Sequence, residues 1–511
     1  MNGHSNTRHY TLNLLSSYGT TFLSIVIGVV SAPMALSYWK VEQYGVWTTI
    51  ISFSTYLSVS GLGIDVAAGI LMTKTSNAGS KRAIFRKSMF LVCFSASMLL
   101  VLVITVHAVV PGWARIIGHV SPSSVATAKN TTFVFVLAFL VNLPFGVIGN
   151  SLAAYQRAYV QNMFSSLSAF LGLIVLVVTI LFRMTMPMFA VFVGLSTLAM
   201  NVVKLFTFLR IRSNYERTSS TDPLDQNSET SAKILIRTGF ELLAYGSAVT
   251  FVQSLGNVII SNKIDMAHVT PYALTYRLLF LGFTLVTTIN LSAAPLLGRE
   301  YSRGNWPWIA SVHARLLSIT CIVGGAVWIG AILFLKSIIL LWVGPNGYAG
   351  AATVVLLGGW IYLSGLSNIN FVVINSFNFT KGIGLLSWIE LAVFVVATEI
   401  FIGPFGISGV ALALMASQLL VSVWALPLIV HRRSERRIGY PRGRFILLSF
   451  VVIVGVIASA ASNWLIRAAS LRFVIALGIC FSYAVAMYWL LPGDVRRRFG
   501  VAALYSRFLG R

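Results

Sequence analysis

GVWTTIISFSTYLSVSGLGIDVAAGILM, residues 45–72, carries one charged side chain, Asp65. A helix crosses the roughly 30 Å of bilayer hydrocarbon with about 20 mostly apolar residues, and this stretch exceeds that length. Carried outward, the same ruler finds thirteen further stretches: 14–38, 88–110, 130–153, 162–182, 187–209, 239–262, 271–298, 309–335, 351–376, 384–403, 405–430, 445–466 and 471–491. The first is too long for a signal-peptide core and is expected to remain as a helix. Only Pro404 parts 384–403 from 405–430, so the expectation is twelve to fourteen membrane spans.

The composition agrees. Of 511 residues, 57% are apolar and 10% charged, against about 25% charged in soluble domains. Cys93, Cys321 and Cys480 all lie in apolar runs with no metal or redox spacing. No HExxH, GxxxxGK[ST], CxxC or GxSxG string occurs. A soluble enzyme, a disulfide scaffold and a disordered chain are excluded, and neither a catalytic group nor a cofactor or metal is expected.

Lys and Arg number 37 against 13 Asp and Glu, a net charge of +24. In a soluble chain this would suggest nucleic acid. Here the basic residues sit in short loops beside span ends. With the N-terminus placed in the cytoplasm, inside loops hold 26 of the 37 and outside loops 8. That asymmetry satisfies the positive-inside rule and predicts two cytoplasmic termini. The partners it implies are anionic membrane lipids, and no nucleic acid.

Residues 210–238 break the apolar rhythm with Arg210, Arg212, Glu216, Asp222, Pro223, Asp225 and Glu229. They read as a polar cytoplasmic linker. Spans 1–6 precede it (1–209), spans 7–12 follow (239–430), and residues 431–511 hold a basic loop, spans 13–14 and a tail. A weak repeat relates the halves. Tyr18-Gly19 and Tyr245-Gly246 open spans 1 and 7, and Tyr44 and Tyr272 open the next spans, 26 and 27 residues later. The fold expected is an all-α polytopic membrane protein of two pseudo-symmetric six-helix lobes with two C-terminal helices appended.

Asn13 to Gly19, followed by VEQYGVWTTIISFSTYLSVSGLGI (41–64), resembles the opening of the polysaccharide flippase family, with Tyr44-Gly45 and Gly61-Leu62-Gly63 as the matching residues. The family belongs to the multidrug/oligosaccharidyl-lipid/polysaccharide exporter superfamily. The resemblance implies two bundles around a central cavity, a bacterial inner-membrane location and a polyprenyl-pyrophosphate-linked oligosaccharide as substrate. It also implies a polysaccharide polymerase as a downstream partner.

Such a substrate has an anionic pyrophosphate and a large polar head, so ionisable residues inside spans are the candidates for handling it. Arg277 can grip phosphate oxygens with two parallel donors, or snorkel to the outer interface. Lys204 has the same alternatives, with snorkelling favoured by its place near the cytoplasmic span end. Asp65 has no basic neighbour in sequence and is the candidate for carrying a coupling proton, against a carboxylate bonded to a neighbouring helix. Gln253 and Asn257, at i and i+4, share a helix face that suits sugar hydroxyls, and Asn290 adds to the polar set. Their alternative is interhelical hydrogen bonding. Two competing functions are a lipid II flippase and an ion-coupled antiporter of the multidrug and toxin extrusion (MATE) family. Residues 14–38 contain neither the arginine expected of the first nor the acid expected of the second. His107 is the one histidine well inside an expected span, and it reads as packed and not as a ligand.

Overall fold

The computed structural model describes residues 3–75, 77–110, 118–218, 232–377, 379, 382–440, 442–466 and 468–490. The middle of the linker (219–231), the tail (491–511), and Arg115, Lys381 and Arg467 lie outside the described residues, as do the side chains of Tyr245 and Glu241. Contacts divide the chain into two compact units, Met1–Thr270 and Pro271–Arg511.

The first unit comprises α1 (Gly3–Leu57), α2 (Ile64–Lys74), α3 (Ala78–Val109), α4 (Val125–Asn142), α5 (Gly146–Ala154), α6 (Ala158–Leu181), α7 (Met186–Thr218) and α8 (Ala232–Lys263). At 55 residues, α1 would be about 80 Å long if straight, far more than one bilayer. Lys40 breaks it, with φ 62° and ψ 179°, so spans 1 and 2 fall either side of the expected loop. Helices α7 and α8 extend into both flanks of the expected linker, and only 219–231 stay outside the described residues. The core gathers Ile64, Met72, Phe85, Ile148, Leu152, Phe164, Phe208 and Leu235 from α2, α3 and α5–α8.

The second unit takes in most of α9 (Met266–Ser292), α10 (Ala294–Ser302), α11 (Trp306–Val343), α12 (Ala351–Ser376), α13 (Ile383–Phe405), α14 (Ile407–Leu420), α15 (Ser422–Arg433), α16 (Arg442–Leu465) and α17 (Ala469–Leu490). Its axis is α12, whose apolar window is 72% buried. Gly358 and Gly359 leave room there for the Trp328 indole of α11, the close approach that small residues permit. The break between spans 11 and 12 falls at Gly406, not at Pro404. Pro404 stays inside α13 near its end, while Gly406 takes φ 55°, ψ −131°, a conformation open to glycine and closed to side chains.

Twelve helices among the described residues are long and apolar enough to cross a membrane. The kinked α1 counts once among them although it holds two expected spans. Large apolar side chains stand on the outside, Phe90 at 69% exposure, Trp464 at 83% and Leu341 at 90%. Water would not tolerate so much of this surface, whereas lipid does. The chain is a multi-pass membrane protein.

Candidate functional site

The 45–72 span is a broken helix. After α1 ends at Leu57, a 3₁₀ turn runs Ser58–Gly61, and Leu62 (φ 51°) and Gly63 (φ 62°) are left-handed before α2 begins. Gly63 has two reasons to be glycine: its φ, and the carbonyl of Gly239 on α8, against which a Cβ would collide. The GLG string therefore serves to break the helix and let α8 pass close to it. Span 130–153 breaks as well, at Leu143-Pro144-Phe145 between α4 and α5. Proline has no N–H to continue an α-helical ladder.

The two breaks meet. Asp65 lies in the first turn of α2, where the helix dipole favours a carboxylate. Asn150 of α5 donates Nδ2–H to Asp65 Oδ2 at 3.2 Å, and Gly146 lets that oxygen lie over the start of α5. Asp65 is half-buried and has no ion pair among the described residues. Discontinuous helices that present helix ends and polar side chains at membrane depth are the usual construction of transporter binding sites.

Lys204, on α7, is 7% exposed. The snorkelling reading favoured by its sequence position is thereby corrected: the side chain turns into the first unit instead of out of it. No hydrogen bond or ion pair to it occurs among the described residues. One turn before it, Asn201 donates to Asn142 Oδ1 at 2.8 Å, and one turn after it Phe208 is fully buried. An ammonium in such surroundings is costly, which keeps Lys204 among the candidate site residues.

Gln253 and Asn257 lie on α8 in the first unit. Asn257 donates to Ser52 Oγ of α1 at 3.0 Å, while its Oδ1 is buried without a partner. Tyr56, one turn along α1 from Ser52, packs edge-on against Phe251, ring centroids 4.9 Å apart. Gln253 is half-buried beside this seam. The interhelical bond and an acceptor free to take a hydroxyl thus coexist at Asn257.

Arg277 and Asn290 belong to the second unit. Asn290 is fully buried: it donates to Asn368 Oδ1 (3.2 Å) and accepts from Thr320 (2.9 Å). Its amide bonds between helices, and its full burial keeps it from a sugar in this structure. Arg277 is half-buried on α9 with no ion pair among the described residues. The adjacent Tyr276 stacks on Tyr272, Phe280 and Trp360 with ring centroids 6.1, 5.6 and 5.7 Å away. The Tyr276 hydroxyl and Trp360 Nε1 are both buried without hydrogen-bond partners among the described residues, so this aromatic cluster, which follows directly before Arg277 in sequence, encloses unused polar atoms.

Three participants are not evident from the sequence. Asn150 is one, although the Leu143-Pro144 break seven residues earlier signals it. Lys81 reads as a loop cation, yet it is 6% exposed and lies over the Tyr155 and Tyr215 rings at 5.1 and 4.6 Å. His313 is the third. His107, the histidine expected to be packed inside a span, stacks on Phe133 at 3.8 Å. His107 is only half-buried, whereas His313 on α11 is fully buried, with Nε2 3.2 Å from Asn370 Oδ1. Asn370 Nδ2 bonds the Leu366 carbonyl and the Tyr440 hydroxyl, which fixes the amide so that His313 Nε2 is the donor. Burial pushes the Tyr440 hydroxyl up to about 12, so it stays protonated.

Comparison with solved structures places this fold. The lipid II flippase MurJ, in an inward closed conformation, superposes with a TM-score of 0.63 at 15% identity, covering 98% of this chain and 100% of that one. An inward-facing MATE-family multidrug resistance transporter of the MOP superfamily gives 0.62 at 13% identity, over 81% and 95% of the two chains. The MATE multidrug transporter DinF-BH, solved as a complex, gives 0.62 at 16%, over 84% and 96%. No family model matches the chain. No curated protein matches it in sequence. The chain therefore shares the fold of these structures, and these structural neighbours are transporters and flippases rather than enzymes.

Proposed function

We propose that this protein is a flippase that moves a polyprenyl-pyrophosphate-linked oligosaccharide from the cytoplasmic to the outer leaflet, for cell-surface polysaccharide synthesis. The observation that carries the reading is coverage. The lipid II flippase matches 98% of this chain, whereas the two MATE transporters match 81% and 84%. The remainder left by the transporters is close in length to residues 431–511, the two extra spans and tail. Coverage of the whole chain by a flippase of a lipid-linked precursor supports the flippase reading. The flippase-like 41–64 signature supports the same substrate class.

The task makes no covalent bond. It requires that an anionic head be held inside hydrocarbon, where charge-assisted bonds strengthen. Lys204 in the first unit and Arg277 in the second, each without an ion pair among the described residues, are separate candidates to meet it. The Asn257 carbonyl and the Tyr276 hydroxyl supply partners for sugar hydroxyls. Asp65, held by Asn150 at the two helix breaks, is the proton carrier: protonated it is neutral, deprotonated it favours a different arrangement of α2 on α5. Asp65→Asn should abolish the dependence of transport on the proton gradient while membrane abundance holds. Normal pH-dependent transport by that variant would make Asp65 structural.

A lipid II flippase is the second reading, favoured by the same coverage and opposed by the absence of arginine from residues 14–38. Depletion in the native bacterium distinguishes them. Loss of surface glycan with an intact cell wall supports the proposal, and lysis with stalled wall synthesis supports lipid II. Unchanged glycan with drug hypersensitivity supports an antiporter. The orientation proposed has both termini and the polar linker in the cytoplasm of an inner-membrane protein; a reporter fused at Thr221 should read as cytoplasmic, and an external signal would invert it.

A further inference from the structure

A cavity of about 470 Å³ opens on the first unit between α3 and α7, lined by Arg82, Arg86, Arg212, Phe85, Met89, Phe90 and Cys93. Arg82 and Arg86 are exposed and form no ion pair among the described residues. Arg212 is fixed at the same end: it pairs with Glu216 at 2.9 Å, and its guanidinium lies 5.9 Å from the Phe85 ring. One carboxylate therefore faces three guanidinium groups. The cavity's other end is apolar and continues onto the outer surface.

That continuation has a definite register. Arg82, Arg86, Phe90, Phe94 and Met98 follow one another at four-residue spacing and so form one i, i+4 ridge, which winds gradually around α3 as it rises. Phe90, Phe94 and Met98 are 69%, 63% and 69% exposed. From Arg86 to Met98 the helix rises about 18 Å, close to half of the roughly 30 Å hydrocarbon thickness. A phosphate at the arginines would leave its acyl chain running along Phe90, Phe94 and Met98 through one leaflet.

We infer that this cavity is a binding site for a single anionic phospholipid, its phosphate held by Arg82 and Arg86 and one acyl chain laid along Phe90, Phe94 and Met98. The occupant is anionic because the two arginines have no ion pair among the described residues and a zwitterionic head would bring an amine against them. Lys81, caged behind the cavity by Tyr155 and Tyr215, adds to the local positive field. The site is independent of the substrate assignment above, since it requires only that α3 cross the bilayer.

The test uses the full-length protein, delipidated in neutral detergent and titrated with dioleoyl phosphatidylglycerol or dioleoyl phosphatidylcholine, with retained lipid counted by native mass spectrometry. Wild type should retain one phosphatidylglycerol in preference to phosphatidylcholine. Arg82→Gln with Arg86→Gln should weaken that binding about twenty-five-fold, from roughly a fivefold share per cation near an anionic head. Arg82→Lys with Arg86→Lys should retain most of it, and Arg432→Gln with Arg436→Gln, outside the cavity, should leave it unchanged. Peptide-resolved alkylation of Cys93 in nanodiscs gives a second readout: phosphatidylglycerol should slow it in wild type and not in the glutamine variant. Equal retention of both lipids, or unchanged retention by the glutamine variant, overturns the site. Displacement of phosphatidylglycerol by substoichiometric polyprenyl pyrophosphate overturns the phospholipid assignment in favour of the transport substrate.

Discussion

Lys204→Met should yield a protein that melts a few degrees higher than wild type and exports almost no glycan. The two effects share a cause. Lys204 is 7% exposed and has no partner among the described residues, so its charge is desolvated without compensation. Replacing buried charge by an apolar chain of similar length is often stabilising, by about 1–4 kcal/mol, and a gain of that size moves the melting point by a few degrees. A wild-type chain that retains such a cost does so for function. Under the proposed function, the ammonium is the partner of a phosphate that visits the first unit during transport. Thermal unfolding in detergent, paired with surface glycan per molecule of membrane protein, reads both effects. Normal export from a stabilised Lys204→Met protein would remove Lys204 from the substrate path. A loss of stability would show instead that Lys204 is held by partners as an ordinary structural residue.

The spans are legible in the sequence because hydrocarbon imposes a minimum apolar length on every crossing, and all fourteen predicted stretches coincide with helical segments. The chain reversal is legible at Lys40, where a cation between two apolar runs marks the turn. Punctuation is harder to assign. Pro404 draws attention as the helix breaker, but a proline near a helix end loses little, and Gly406 has the backbone angles that turn the chain. The site is legible as residue types and hardly at all as contacts. Asp65 stands out because a lone carboxylate in an apolar run is conspicuous. Its partner Asn150 lies 85 residues away and is one amide among many. Lys204 shows the limit most clearly: depth along a helix can be counted from sequence, but whether a side chain faces outward or inward depends on what packs around it. Asn290 fails in the opposite way, since Thr320 and Asn368 satisfy it from helices that no local spacing relates to α9.

Arg277→Ala should reduce surface glycan per molecule of protein by about tenfold or more, and Arg277→Lys should retain an intermediate level. Charge-assisted bonds from a guanidinium are worth about 1.5–3 kcal/mol, which is roughly one to two orders of magnitude in binding. Lysine keeps the charge and loses the fork that meets two phosphate oxygens together. What the structure adds is the company Arg277 keeps: it is half-buried beside Tyr276, whose ring stacks on Trp360 and whose hydroxyl is unused. Under the proposed function the Tyr276 hydroxyl, enclosed in this structure, becomes a donor to the first sugar when the substrate opens the aromatic cluster. Tyr276→Phe should then lower export of the native glycan several-fold while leaving protein abundance intact, because it removes only the hydroxyl. If Arg277 merely anchored α9 at the membrane interface, lysine would restore full export, alanine would act through abundance, and Tyr276→Phe would do nothing. Glycan normalised to protein separates these patterns, and full export per molecule of Arg277→Ala would exclude Arg277 from substrate binding.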